Sequence, residues 1–277
     1  MANPYSRPRS YLPFYLESVA RMIATMLYRV RSSGAENIPA TGGVLLLANH
    51  ISYVDVVVLQ LACPRPIRFV GYQGLRRNAF FNWCFKRSGC ISVSSRHPTE
   101  GMRAAIRALK NGEVVLVFPE GQISRTGQLM RIKGGIELLA RRAGVSVVVA
   151  ATDGLWGSVF SFAGHKYLWK SPRLLPTHVF IAFGLPTPPE RVNTAWARRE
   201  LLDLGRVAFD ERPVLRRHVG REGVRMLTKH PWRIALIDRT AARRAIKCGQ
   251  LYAAAAVLSR RLKAMVPEKR VGIVLPP

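Results

Sequence analysis

The stretch NHISYVD, residues 49–55, places a histidine and an aspartate within one short polar break after an apolar run. If a turn brings the Asp55 carboxylate back to His50, it accepts a hydrogen bond from one imidazole nitrogen, fixes the tautomer and leaves the other nitrogen as a base. The pair is therefore a candidate general base with its orienting partner. The structural alternative is that Asp55 caps the following helix, because aspartate is a favoured N-cap residue, while His50 satisfies backbone groups.

A second polar stretch, VFPEGQISRTGQL at residues 117–129, brings a carboxylate and a flexible glycine close to several cations. This combination suits a polyol that carries a phosphate, because the carboxylate of Glu120, beside Gly121, can hold a hydroxyl group and the cations can hold the phosphate. The candidate cations are Arg125, Arg131 and Lys133. The alternative is an ordinary surface loop after a strand.

The elements that must position these residues alternate between short β-branched runs and stretches of helical spacing. The runs that predict strands are 43–48, 67–72, 90–94, 113–118, 146–152 and 178–183. The stretches with helical spacing are 54–62, 76–87, 99–110 and 134–142. This alternation predicts an α/β fold with a mostly parallel sheet flanked by helices. Both polar stretches then follow strands, at the edge where such sheets tend to bind ligands.

Composition limits the classes of function. The 277 residues include 43 Lys+Arg against 16 Asp+Glu, a formal net charge of +27, with 48 % hydrophobic residues. This hydrophobic content excludes a disordered basic tail, and the charge favours nucleic acid, anionic lipid headgroups, or acidic substrates and carrier proteins. No nucleic acid is expected, because neither a recognised module nor interleaved aromatic and basic residues are found. The four cysteines lack metal-ligand spacing, so neither zinc nor a disulfide framework is expected.

The N-terminal segment predicts an amphipathic helix over residues 11–30. Its apolar residues recur at helical spacing and are Leu12, Tyr15, Leu16, Val19, Ile23, Met26 and Val30. This stripe could pack on the core or lie in a membrane interface, and the sequence leaves both open. No apolar stretch reaches the roughly 20 residues of a spanning helix, and no signal peptide is recognised. A peripheral or monotopic place on the cytoplasmic side of the cell membrane is therefore expected.

In this order, NHISYVD and FPEG resemble the signatures N-H-x-S-x-x-D and F-P-E-G-T-R-S of the glycerolipid acyltransferase family, typified by 1-acylglycerol-3-phosphate O-acyltransferases. The resemblance covers roughly residues 38–188. The run DGLWGSVFSFAGHKYLWK, residues 153–170, is most similar to the acyltransferase portion of bacterial acyltransferase–acyl-carrier-protein synthetase fusions that repair lysophospholipids.

This resemblance implies roles for four residues. His50 is the base, Asp55 orients it, and Glu120 and Gly121 line the acceptor site. The acceptor hydroxyl group loses its proton to His50 and attacks the thioester carbonyl of acyl-CoA or an acyl-carrier protein. No cofactor is implied, and direct transfer is favoured over a covalent intermediate on Ser52.

The sequence departs from the family pattern at three places. The arginine expected two residues after FPEG is Ile123, so a phosphate role passes to the nearby cations. The second signature, G-x-I-F-V-D-R, is loosely matched by GCISVSSR at residues 89–96, in which Arg96 is displaced by one position. Ser146 stands where V-P-V is usual. The absence of arginine at position 123 weakens the expectation of a phosphatidic-acid-type acceptor.

From about Trp232 onward, WRIALIDRT, GQLYAAAAVLSRRLK and KRVGIVLPP resemble the opening of adenylate-forming acyl-activating enzymes. A helix over 249–265 and strands at 234–237 and 271–275 are predicted here. That family's phosphate-binding loop would lie beyond Pro277, so the segment is expected to be a truncated start that makes no acyl-adenylate. The predicted divisions are 1–34, an amphipathic membrane-interface helix; 35–210, the acyltransferase domain; and 211–277, this α/β remnant.

The expected function is that of an O-acyltransferase. It moves a fatty acyl chain from acyl-CoA or acyl-carrier protein to a lysoglycerophospholipid, and its basic surface attracts an anionic membrane and the acidic donor. Intact His50, Asp55 and Glu120 favour this function. The alternative is a catalytically idle membrane adaptor or a truncated fusion remnant.

Overall fold

The computed structural model describes residues 11, 14–94, 98–165, 176–213, 219–238 and 244–265. The chain divides into two compact units, Met1–Arg212 and Pro213–Pro277. The helices are α1 Phe14–Leu27, α2 Asp55–Ala62, α3 Ala79–Arg87, α4 Pro98–Lys110, α5 Gly135–Ala143, α6 Thr194–Asp210, α7 Val219–Lys229 and α8 Cys248–Met265. The strands are β1 Tyr28–Ser33, β2 Val44–Ala48, β3 Ile67–Tyr72, β4 Ile91–Val93, β5 Val114–Val117, β6 Ser146–Asp153, β7 Thr177–Phe183, β8 Ile234–Asp238 and β9 Arg244–Lys247.

Seven strands of the first unit form one sheet in the order β1-β7-β6-β2-β5-β3-β4. Neighbouring strands are parallel except β6 and β7, which are antiparallel. The central strands β2 and β5, with the sequences VLLLA and VVLV, are apolar on both faces, as a sheet covered by helices on both sides requires. The prediction of a mostly parallel sheet flanked by helices is confirmed.

Helices cover both faces of this sheet with buried apolar residues. On one face, Val58 and Leu59 of α2 pack with Leu46 of β2. On the other face, α4, α5 and α6 pack with Leu45 and Leu47 of the same strand. The buried helical residues of this second layer are Ala105, Ala108, Leu109, Ile136, Leu139, Ala140, Ala143, Ala197 and Leu201. The loops that follow β2 and β5 carry the two polar stretches, and Ile51 of the first stretch packs in the core on the α2 face.

The element predictions are confirmed between residues 43 and 183. The helix predicted over 76–87 begins at Ala79, because Gln73–Arg77 forms a separate 3-10 helix. In the second unit, the predicted strand at 234–237 and helix at 249–265 are confirmed as β8 and α8. Helices α6 and α7 and strand β9 were not predicted. The strand predicted at 271–275 lies outside the described residues.

The prediction of one helix through residue 30 is wrong, because the helix ends at Leu27 and the next residues form strand β1. This strand pairs in parallel with β7. Tyr28 is buried, Arg29 is exposed and Val30 is half-buried, which is the alternation of a strand with one face on the core. Val30 therefore belongs to strand β1 and not to the apolar stripe of the helix.

Helix α1 turns most of its apolar stripe to the outside. Ala24 is buried on the side that meets the sheet unit. Among the side chains of this helix that the structure describes, the exposed apolar ones are Tyr15, Val19, Met22, Ile23 and Met26. Packing of the stripe on the core therefore does not hold for these residues. Leu12 lies outside the described residues, as does the side chain of Leu16. No helix in the described part of the chain is long and apolar enough to span a membrane.

The second unit consists of α7, the antiparallel hairpin of β8 and β9, and α8. Helix α8 contacts α7 and both strands of the hairpin. Among the residues of this unit that the structure describes, none is buried. Packing inside the unit thus covers little of its apolar surface.

Candidate active site

His50 and Asp55 meet in the loop between the end of β2 and the start of α2. Nδ1 of His50 lies 2.8 Å from Oδ2 of Asp55. The Asp55 side chain is fully buried, whereas 16 % of the His50 side chain is exposed. Because the ionised carboxylate only accepts hydrogen bonds, Nδ1 carries the proton, and Nε2 is left as the basic nitrogen. The structure brings the predicted base and its partner together.

The Asp55 carboxylate points back toward the loop rather than into its own helix. Its Oδ2 atom accepts hydrogen bonds from the backbone N–H groups of Ile51, at 2.7 Å, and Ser52, at 2.9 Å. Helix α2 has no side-chain N-cap. The capping alternative is therefore wrong, and the same oxygen that accepts from His50 also holds the loop in its turn.

Phe118, the last residue before PEG, limits the orientation of the imidazole. The two rings stack with their centroids 3.8 Å apart and an angle of 9° between their planes. The ring and the carboxylate together leave His50 little rotational freedom. Sequence reasoning missed this residue, although the phenylalanine of FPEG was available as a signal.

Glu120 connects the two polar stretches. Its Oε1 accepts from the backbone N–H of His50 and its Oε2 from that of Met130, both at 2.8 Å. The residue is only 2 % exposed. Burial raises the pKa of the Glu120 carboxyl above its ordinary value of 4.5, and the two backbone donors act in the opposite direction. Both carboxylate oxygens are thus already engaged with the backbone.

Two further residues of NHISYVD have structural contacts that sequence reasoning did not assign. Asn49 joins β2 to β6, because its Oδ1 accepts from the backbone N–H of Thr152 at 2.7 Å and its Nδ2 donates to the Thr152 carbonyl at 3.0 Å. Ser52 is fully buried, and its Oγ accepts from the backbone N–H of Val54 at 3.3 Å. Burial and this contact disfavour Ser52 as a nucleophile.

The remaining candidates, Gly121, Arg125, Arg131 and Lys133, follow Glu120 along the chain. Gly121 has φ +72°, and a Cβ atom there would lie 2.4 Å from Nζ of Lys133, so the lysine side chain covers the glycine next to Glu120. Arg125 is exposed, with its guanidinium 5.8 Å from the centre of the Phe162 ring. Arg131 is exposed as well. Neither arginine contacts His50 or Asp55 within the described part of the chain.

Two of the departures from the family pattern can be located. Ile123 is buried, so the position at which the family carries arginine belongs to the core of the loop. Ser146 begins β6. Arg96 lies outside the described residues. No cluster of three or more metal-ligating side chains occurs among residues that the structure describes.

Known proteins share sequence and fold with this chain. Residues 29–152 match the model of a family described as Acyltransferase. The solved structure of the 1-acyl-sn-glycerophosphate (LPA) acyltransferase PlsC from Thermotoga maritima superposes with a TM-score of 0.53 at 25 % identity, over 71 % of this chain and 78 % of that one.

Two relatives illustrate the range of similar sequences. A chloroplastic 1-acyl-sn-glycerol-3-phosphate acyltransferase of Arabidopsis thaliana is 26 % identical over 150 residues, which is 53 % of this chain and 41 % of that protein. A lyso-ornithine lipid O-acyltransferase of Pseudomonas aeruginosa is 26 % identical over 203 residues, 69 % of this chain and 76 % of that protein. This chain therefore spans less than half of the Arabidopsis relative. The segment matched by the family model runs from β1 to β6 and contains both polar stretches.

Proposed function

We propose, from the match of residues 29–152 to the Acyltransferase family, that the chain is an O-acyltransferase that moves a fatty acyl group from a thioester to a hydroxyl group of a lysoglycerophospholipid. The observation that carries this proposal is the contact between Nδ1 of His50 and the buried carboxylate of Asp55. A neutral imidazole held in this way is a general base, and a hydroxyl acceptor needs one.

The proton follows a closed path in this reaction. Nε2 of His50 takes the proton of the acceptor hydroxyl group as its oxygen attacks the thioester carbonyl carbon. This attack forms the new C–O bond of a tetrahedral intermediate. The intermediate collapses to the ester as its C–S bond breaks, and the donor's sulfur leaves as a thiolate. The imidazolium returns its proton to the thiolate, so a thiol leaves and the base is regenerated.

Asp55, Phe118 and Glu120 act on the base rather than on the substrate. The carboxylate of Asp55 holds the tautomer and stabilises the imidazolium while the proton is on His50. Phe118 keeps the ring in place, and Glu120 fixes the backbone N–H of His50. Because a thiolate leaves readily, the reaction needs neither a strong second acid nor a cofactor.

The acceptor is a lysophospholipid, and the chain's own residues also favour testing acceptors that carry no phosphate monoester. Ile123 is buried where the family carries arginine, so an anionic headgroup would need another cation, such as Lys133, whose Nζ covers Gly121 beside Glu120. The Pseudomonas relative is named for a lyso-ornithine lipid. This lipid belongs in the acceptor panel next to lysophosphatidic acid and zwitterionic lysophospholipids.

We place the chain peripherally at an anionic membrane surface on the cytoplasmic side. The support is the exposed apolar stripe of α1, in which Met26 is 70 % and Tyr15 is 61 % exposed, together with the net charge of +27. An amphipathic helix in a basic protein binds an interface by burying apolar area and by attraction to anionic headgroups.

The experiment that tests the function measures transfer of a labelled acyl group from acyl-CoA and from acyl-carrier protein to this panel of lysolipids. The proposal predicts ester product with at least one donor and acceptor. Absence of product with every pair would favour the alternative of an idle membrane adaptor.

A further inference from the structure

Helix α7 of the second unit is amphipathic, and its apolar face is open. Val219, Gly223 and Met226 follow one another at i, i+4 and i+7, so they share a face. Val219 is 87 % exposed and Met226 is 56 % exposed. An apolar helix face in contact with water is unfavourable unless a partner covers it.

The other face of the same helix is basic. Arg221, Arg225 and Lys229 follow one another at i, i+4 and i+8 and are all exposed. The acidic residue of the helix is Glu222, 3.9 Å from the Arg225 guanidinium. A helix with a large apolar face and a polar face rich in arginine and lysine is typical of segments that lie in a membrane interface.

The rest of the unit extends this surface chemistry. The Trp232 side chain is 82 % exposed, and Lys247 lies 5.8 Å from the centre of its ring. Ile234 and Met265 are exposed as well. Tryptophan beside basic residues is enriched at the level of lipid headgroups, because its ring is apolar and its N–H group finds polar partners there.

We propose that α7 binds an anionic lipid bilayer through its face of Val219, Gly223 and Met226, with Arg221, Arg225 and Lys229 directed to the headgroups. This gives the chain a membrane contact in Pro213–Pro277 that is separate in sequence from α1. The basic charge favours an anionic bilayer over a second copy of the chain as the partner of this face, because two copies of the same basic surface repel each other. The exposed apolar face favours a bilayer over an acidic protein, because a partner bound by charge alone would leave these apolar side chains in water.

The test measures partition of the full-length protein onto phosphatidylcholine vesicles with and without phosphatidylglycerol. The apolar variant is Val219→Ser/Met226→Ser, and its matched control is Leu202→Ser/Val207→Ser, which removes two exposed apolar side chains from α6. The charge variant is Arg221→Gln/Arg225→Gln. Its control is Arg103→Gln/Arg107→Gln, which removes an exposed pair of the same spacing from α4. Circular dichroism and thermal unfolding verify that all four variants are folded.

The expected result is that each α7 variant binds anionic vesicles about tenfold more weakly than wild type, while each control binds within about twofold. Wild-type affinity in an α7 variant would overturn the proposal. Lower self-association of an α7 variant in the absence of vesicles would also overturn the proposal, because a second copy of the chain would then cover the apolar face. An α7 variant that loses only its binding to acyl-carrier protein would overturn it as well. Acyl transfer with detergent-dispersed substrate is measured in parallel: no activity in any protein would refute the catalytic proposal and leave the vesicle result intact.

Discussion

At the scale of single residues, three side chains of the two polar stretches orient the base, His50. Asp55 holds Nδ1 of His50, Phe118 stacks on the ring, and Glu120 accepts the backbone N–H of the same residue. The three contacts act on the tautomer, the ring angle and the backbone, respectively. Loss of each is therefore expected to affect catalysis differently.

Asp55→Asn is expected to lower kcat by about 10²- to 10⁴-fold with a smaller effect on KM. The amide oxygen can take the place of Oδ2, but the amide carries no charge to stabilise the imidazolium. The measurement is steady-state acyl transfer. Asp153→Asn is the control, because it makes the same charge change at a carboxylate that pairs with Arg212 instead. A similar loss in both variants would contradict a specific role for Asp55.

Glu120→Gln is expected to lower the free energy of unfolding by about 1 kcal/mol or more at neutral pH. The side-chain amide presents one acceptor and one donor group to two backbone donors, so the N–H of either His50 or Met130 loses its partner. Urea unfolding measures this change. Unaltered stability would show that the two backbone contacts do not contribute.

The pH dependence of this difference has a definite sign. The folded pKa of Glu120 is raised above 4.5, so between 4.5 and the raised pKa the folded state holds a proton that the unfolded state has lost, and wild-type stability falls as pH rises. Glu120→Gln has no such proton. The advantage of wild type over the variant should therefore shrink through this window and stay constant above it. An advantage that grows with pH would mean that the pKa is lowered.

At the scale of elements, the carboxyl ends of neighbouring strands carry the site, and Asn49 joins two of them. Its side chain exchanges hydrogen bonds with the backbone of Thr152, in the place where the ladder between β2 and β6 ends. The strands were predictable because buried parallel strands are continuous apolar runs, and so was their position before the polar loops.

The elements and contacts that could not be predicted from the sequence depend on residues that are distant along the chain. The alternation of strand β1, YRVRSS, also fits a helix end, and its pairing with β7 depends on residues about 150 positions away. The contacts of Phe118 and of the Glu120 oxygens are likewise tertiary. The spacing of His50 and Asp55, by contrast, is local to one turn and could be read directly.

Asn49→Ala is expected to lower the free energy of unfolding by about 1–3 kcal/mol and to lower kcat, because the Thr152 N–H loses its buried acceptor and the loop that holds His50 loses its link to β6. Asn193→Ala is the matched control. It removes the N-cap of α6, which accepts from the Trp196 N–H at 2.8 Å, at a cost of about 1 kcal/mol. Its kcat should remain that of wild type. Equal losses of kcat in both variants would contradict the role of Asn49 in holding the loop.

At the scale of the whole molecule, a basic chain exposes apolar helix faces in two separate parts of its sequence. Among its described side chains, helix α1 exposes five large apolar ones, and the charge of +27 belongs to the full chain. A lipid substrate and a surface of this kind fit together, because headgroup attraction and apolar insertion act at the same interface.

Association of the wild-type protein with anionic vesicles is expected to weaken by an order of magnitude or more as salt is raised from about 0.01 M to about 1 M, because the Debye length falls from about 30 Å to about 3 Å. Vesicle co-sedimentation measures it. Equal binding to neutral and anionic vesicles at low salt would contradict the electrostatic part of membrane binding.

The most direct single measurement is acyl transfer by wild type, His50→Ala and His178→Ala at equal folded content, with both thioester donors and the lysolipid panel. His178 is an exposed histidine of β7 and serves as the matched control. A general base at His50 predicts product with wild type, an unchanged rate with His178→Ala, and a loss of about 10²-fold or more with His50→Ala. Product formation by His50→Ala at the wild-type rate would contradict the assignment of His50 as the catalytic base.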